Sequence, residues 1–434
     1  MNIEEQLATL AAATRWDDIP PVVREYATAL TIDALANAVA GRAAETVPEY
    51  EAAARVLAGP GVHAVCAGPP MAAWGATGQN AYQMTVYTMC DVYRPALCHV
   101  TPEVVPAALA AAELADASTA DFLLAVTLGM EVTVRVCQAL DYPTFRARGW
   151  HSPGVAGALG AAAAAGRLLG LDVTAMTGCL GLAGAQAAGT FAAMGTVAVK
   201  FHQANGARAG LAAAVYAARG FAGSRAILTA PDGGILATYA GGGRPDLANS
   251  VNWLLTGISM RSYPAASTLQ SLVDCLLPLD ARPGHVTVWL PAHAYRLGNG
   301  GWDNQLAAMQ SARFVASAVL HRGTCWLDTF GQESRDDPAI TGYAAGNVDV
   351  LEDGALPEGG VRIRWDDKET RRDYPHGDSR DPLITSEVEA KAIRSLAAAM
   401  PQARAAAAGT ALAGLADPAP IDRLTGLLTV AEEA

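Results

Sequence analysis

Lysine is almost missing from this chain: among 434 residues there are three, Lys200, Lys368 and Lys391. Basic residues as a whole are outnumbered by acidic ones, leaving a net charge of −12. That balance disfavours a phosphate backbone, so no nucleic-acid partner is expected. Long lipid-compatible runs are missing too. The most apolar window, "GVAGALGAAAAAGRLLGL" (154–171), is mostly Ala and Gly and is broken by Arg167. Such a segment packs on other helices more readily than it enters lipid, and no membrane partner is expected. The cysteines, seven in number, form no CxxC pair. An odd set without paired spacing suits reduced thiols in the cytoplasm. Cys98 and His99 are adjacent, but nothing nearby completes a metal set. The opening "MNIEEQLATLAAATRWDDIPP" has no basic segment leading into an apolar run, so a secretory leader is not expected. Finally, "YAGGGRPD" follows no strand-to-helix pattern, which argues against a dinucleotide site.

What is present describes a globular protein with room for two or three domains, 51% apolar and 17% charged. Residues 1–267 read as successive helices. "IPPVVREYATALTIDALANAVAG" (19–41) has Pro at its start, apolar residues at three- and four-residue spacing, and Gly at its end. "TPEVVPAALAAAELADAS" (101–118) opens on Thr–Pro. "TADFLLAVTLGMEVTVRVCQAL" (119–140) is apolar nearly all round, with Glu131 and Arg135 spaced to pair. Helices over 153–170, 172–189 and 203–219 are dominated by Ala and Gly, which predicts close axis-to-axis packing. From 268 to 392 the pattern changes. "GHVTVWLPAHAYRL" (284–297) and "GGVRIRWDDK" (359–368) alternate like strands on either side of an amphipathic helix, 304–323. The expected fold is mainly α with a smaller α+β domain. The helical tail, 393–434, is expected to rejoin the large domain.

Few polar residues interrupt the helical part. They fall in "CDVYRPALCHVTPE" (90–103), "RGWHSPG" (148–154) and "FAAMGTVAVKFHQANGARAGL" (191–211), each at a loop or helix start where free N–H groups can meet an anion. His151, taken alone, reads as a capping or satisfied histidine as readily as a chemical one. Lys200 has no carboxylate within eight residues on either side, whereas Lys368 and Lys391 lie among acids and arginines, as solvated lysines do. A buried ammonium needs water or an anion. Either Lys200 snorkels from a helix end or it faces a substrate carboxylate.

Five ordered blocks resemble the MmgE/PrpD family, which includes 2-methylcitrate dehydratases, cis-aconitate decarboxylases and iminodisuccinate epimerases. They are "HVTPEVVPAALAAAELADAS", "RARGWHSPGVAGALGAAAAAGRLLGLD", "VKFHQANGARAGLAAAVYAARGFAGSRAILTAPDGG", "MRSYPAAS" and "YPHGDSRDPLITSEVEAK". The resemblance implies a large helical domain, a smaller α/β domain, an active site in the cleft between them, a homodimer and no required cofactor. It also implies a small carboxylate-bearing substrate. His151, Lys200, His99 and Asp91 fall on the family's site positions, and Tyr295 aligns with a tyrosine from the smaller domain. Tyr93, His202, Arg261, Tyr263 and Arg208 are expected to contact substrate. The reaction implied is a lyase's proton abstraction beside a carboxylate, in dehydration or decarboxylation. An epimerase or isomerase, and a repurposed non-catalytic protein, are the alternatives.

The chain also departs from the family pattern. Asp-Asp-Thr is here Asp91, Val92 and Tyr93, and the proline after the histidine is Val100. After "SYP", where Cys-Cys-Arg and then His often follow, stand Ala265, Ala266, Ser267 and Gln270. A bidentate donor is worth a few kcal/mol to a bound carboxylate. Its loss predicts a substrate other than a standard tricarboxylate: an acid with one or two carboxylates, or a larger, less polar one.

Overall fold

The computed structural model describes residues 2–279 and 282–430; the last four residues of the expected helical tail lie outside this range. The protein is mainly α-helical with a smaller α+β part. One apolar core takes its side chains from the helices between Ile3 and Ala240 and from Val388, Leu396, Leu412 and Leu424 near the C-terminus. A second core joins Val286, Val288, Ile363, Phe314 and Phe330 to Ala40, Val47, Tyr82 and Met89 of the helical part.

The Ala/Gly helices pack as closely as their side chains predict. Ala158–Leu168 lies against Thr101–Leu114, Thr119–Ala139 and Ala198–Ala218. A methyl group at Gly160 would stand 1.8 Å from Thr133 Oγ1, and one at Gly210 would stand 2.4 Å from Ala161 Cβ. No larger residue fits at either crossing without moving a helix. The Glu131–Arg135 pair forms at 2.7 Å. Ser118 and Asp121 cap the same helix reciprocally, and Asp172 caps Val173–Gly184.

The smaller part holds a four-stranded sheet. Val286–Leu290 pairs in parallel with Val348–Glu352 and antiparallel with Val361–Trp365, which pairs in turn with Lys368–Arg372. The strand expected over 284–297 stops at Leu290. Pro291 caps a helix, Ala292–Gly298, so the apparent alternation of its residues is a chance of composition. The single helix expected over 304–323 is two, Gln305–Gln310 and Ala312–Arg322, divided at Ser311, whose hydroxyl caps the second.

Lys391 is not a solvated lysine. It is buried, and its ammonium lies 2.6 Å from Asp33 Oδ1. It also donates to the carbonyls of Arg261 (2.6 Å) and Met89 (3.3 Å). This contact ties the Thr385–Ala397 helix to Pro21–Gly41 and to the backbone beneath Arg261. Removing one member of a buried ion pair strands the other, at roughly 3–5 kcal/mol. Lys391→Met is expected to destabilise by about that amount in urea unfolding. The Asp33→Asn/Lys391→Met double variant should lose less than the two single losses together.

Candidate active site

Three polar stretches that are remote in sequence converge on one small cavity of about 80 Å³. Its wall includes His99, His151, Lys200 and Arg261 from the helical part and Ala266, Ser267, Thr268 and His293 from the chain that follows. The cavity thus lies where the two cores meet.

Each group is held from behind. Asp91 accepts from the backbone N–H of Val100 (2.9 Å) and Thr101 (3.0 Å) and from the Thr101 hydroxyl. Its carbonyl accepts the Nδ1 proton of His99 at 2.7 Å. That bond fixes the His99 tautomer and leaves Nε2 as a free lone pair. His151 precedes a π-helical turn, Pro153–Gly157, a feature common at functional sites. The His151 N–H donates to the Gly189 carbonyl at 3.0 Å, and Ser152 Oγ donates to the Ala96 carbonyl at 2.7 Å. Gly154 is required there, because a Cβ would stand 2.0 Å from the Ala188 carbonyl oxygen. Lys200 occupies the first turn of Ala198–Ala218. Arg261 Nε donates to the Cys90 carbonyl, and its Nη2 lies 2.8 Å from Cys90 Sγ.

The sequence pattern of the MmgE/PrpD N-terminal domain matches residues 5–248. The chain belongs to the MmgE/PrpD family. It is 26% identical to a cis-aconitate decarboxylase-like protein of Aspergillus oryzae, over 92% of this chain and 91% of the relative. It is 30% identical to a cis-aconitate decarboxylase of Aspergillus terreus, over 84% and 83%. It is 32% identical to the cis-aconitate decarboxylase of Homo sapiens, over 58% and 56%.

Not every residue expected from the family pattern reaches the cavity. Asp91 turns its carboxyl into the first turn of Thr101–Leu114, so it positions His99 rather than facing substrate. Tyr93 lines a larger outer chamber, where its hydroxyl accepts from Gln138 Nε2. His202 stands behind His151, Nδ1 to Nδ1, at 3.0 Å. Tyr263 donates to Asp274 Oδ1 at 3.0 Å, away from the site. Arg208 is buried with its guanidinium 3.9 Å from the centre of the Trp74 ring, and so serves packing. Tyr295 packs on the second core, and its hydroxyl accepts weakly from Asn299. In its place the same helix presents His293, two residues earlier and hence on the other face. The signal for His293 was its rarity, since the chain holds eight histidines. Among the described residues, no three His, Cys, Asp or Glu side chains are grouped to hold a metal.

Burial governs the protonation of this cluster. Lys200 is lowered from 10.5 to about 7, by burial first and by Arg261, against an opposing pull from Cys90. Among the described residues no carboxylate pairs with it. His99 is lowered to about 3 by burial and then by Arg261 and Lys200. His151 lies well below its ordinary 6.5, through burial first, then the neighbouring imidazoles of His99 and His202, and lastly Lys200 and Arg146. Behind them sits Glu103, fully buried, with both oxygens free of hydrogen-bond partners. Burial, and then Asp91, raise it well above the carboxylate range and keep it protonated. The sequence signal for Glu103 was an acid in the first turn of a helix that is apolar from Val104 to Ala112.

Proposed function

We propose that this protein is a lyase that removes a proton or a carboxyl group beside a carboxylate, without a required cofactor. The observation that carries this reading is the meeting of three imidazoles, His99, His151 and His293, with two cations in one cavity where, among the described residues, no carboxylate pairs with Lys200. Lys200 and Arg261 bind the substrate carboxylate. When the adjacent C–H or C–CO₂ bond breaks, its electron pair spreads onto that carboxylate as an enediolate-like dianion. That dianion then expels a β-hydroxyl as water after the C–H step, or takes a proton on carbon once CO₂ has left. Fixed cations stabilise the new charge without reorganising. The free Nε2 of His99 or of His151 takes or returns the proton. An entering anion raises the pKa of Lys200 and of both histidines, so binding itself prepares the proton carriers. Relatives named as decarboxylases support the same class.

Two cations suit an acid with one or two carboxylates. Gln270 offers no help for a third, because its amide is spent on the backbone of Tyr263 and Ala265. Assays with citrate, 2-methylcitrate and cis-aconitate are therefore expected to show slow turnover at most, and rapid turnover of any of them overturns the substrate assignment.

A second reading, an epimerase, is favoured by one observation: more than one neutral histidine lines the same cavity, so that two of them can serve opposite faces of one carbon. Reaction in deuterated water separates the two. An epimerase returns substrate heavier by one mass unit, whereas a lyase gives a product that has lost water or CO₂.

A further inference from the structure

Outside the catalytic cavity lies a chamber of about 1100 Å³, at the upper end of ligand-site volumes. The two spaces share His293 and Leu97 as wall residues. The inner cavity has room for a carboxylate and the carbons next to it, since a single water needs roughly 10–15 Å³ on the same measure. A substrate confined there would leave the chamber without a role.

The chamber has a distinct chemistry. Trp253, Tyr142, Leu254 and several prolines give it an apolar, aromatic lining. Four arginines face two carboxylates, and they are not equivalent. Arg94 and Arg380 are both committed to Asp378, at 2.6 and 2.7 Å. Arg146 and Arg296 have no carboxylate partner among the described residues. Arg146 stands at the junction, with its guanidinium 3.3 Å from the centre of the Phe191 ring, and Phe191 lines the inner cavity. Arg296 is exposed and lies one helical turn beyond His293 on Ala292–Gly298. An arginine at a rim is ordinarily solvated. Two unpaired ones beside an aromatic floor that opens onto a cation-lined cavity describe a ligand with an anion at each end.

We infer that the outer chamber binds the body of the substrate. That substrate is an acid whose reacting carboxylate reaches Lys200 and Arg261, and whose apolar or aromatic body runs past His293 to a second anionic group at Arg146 and Arg296. This inference rests on the reading of Lys200 and Arg261 as the carboxylate anchor.

Calorimetric titration of the full chain with butanoate, decanoate and decanedioate tests it. Decanoate is expected to bind at least about tenfold more tightly than butanoate, and decanedioate at least about tenfold more tightly than decanoate. The Arg146→Met/Arg296→Met variant, checked for native circular dichroism, should bring the decanedioate-to-decanoate ratio near one. Equal affinity for butanoate and decanoate overturns the chamber as a subsite. A ratio that survives the double substitution overturns the role of the two arginines. Lys200→Met reports separately on the anchor. If it leaves butanoate binding intact while the ratio still depends on Arg146 and Arg296, the anchor reading fails and the chamber stands.

Discussion

Lys200→Met is expected to lower kcat/KM by about 10²–10³-fold, the loss typical of one removed donor to a developing oxyanion, and at the same time to stabilise the protein. The activity loss follows from its place in the cavity beside Arg261. The stability gain follows from burial, which lowers its pKa from 10.5 to about 7. Below pH 7 the lysine is charged in both the folded and unfolded states, and the folded state bears the full penalty of burying it. Between pH 7 and 10.5 the unfolded chain holds a proton that the folded chain lacks, so stability rises with pH and the penalty fades. The interval from 10.5 to about 7 corresponds to about 5 kcal/mol at most. Urea unfolding should therefore find Lys200→Met more stable than the parent by a few kcal/mol at pH 6, with a smaller difference at pH 9.5. A variant less stable than the parent at pH 6 would show that the ammonium has a partner in the folded protein. The same titration sets the basic limb of the pH–rate profile. In the free enzyme kcat/KM should fall as pH rises through about 7, and Lys200→Arg should move that limb upward.

The second large effect is expected at His151. His151→Asn should reduce kcat by about 10²–10⁴-fold, the range for a lost general acid or base, with little change in KM, because the cations that bind substrate remain. The arrangement behind His151 refines this expectation. His151 Nδ1 and His202 Nδ1 lie 3.0 Å apart and share one proton. If His151 holds it, His151 Nε2 is a base; if His202 holds it, His151 Nε2 carries a proton and is an acid. His202 therefore acts through His151 as a positioning residue. His202→Gln should shift the acid limb of the pH profile while keeping much of kcat. Equal loss in kcat for His202→Gln and His151→Asn would mean that the two rings work as one unit.

The polar cluster at the inner cavity was legible because its members are chemically rare. A lysine without acidic neighbours and a histidine ahead of an apolar helix both stand out against Ala and Gly, and both line the cavity. The tight helix packing was legible for the same compositional reason. Side-chain direction was not. Lys391 sits among charged residues in sequence, yet the three-dimensional fold gives it Asp33 from a helix more than 350 residues away. Tyr295 and His293 differ by two positions, a separation that keeps them on one face of a strand and sets them on opposite faces of a helix. Reading 284–297 as a strand hid that difference. Arg208 follows Lys200 by two helical turns, but the gap left by Gly78 draws its guanidinium against Trp74 instead.

The close contacts at Gly160 and Gly210 with neighbouring helices, and at Gly154 with the Ala188 carbonyl, divide the tolerance of this protein to evolutionary change. His151 and Lys200 are mounted on elements whose neighbours touch them through bare backbone, so almost any drift in side-chain size there would displace the chemistry. The facing wall is different: Ala266, Ser267 and Thr268 lie in a loop, and His293 stands on a seven-residue helix. New substrate preferences in this lineage are thus expected to arise by exchange along that one wall, with the reactive groups inherited unchanged.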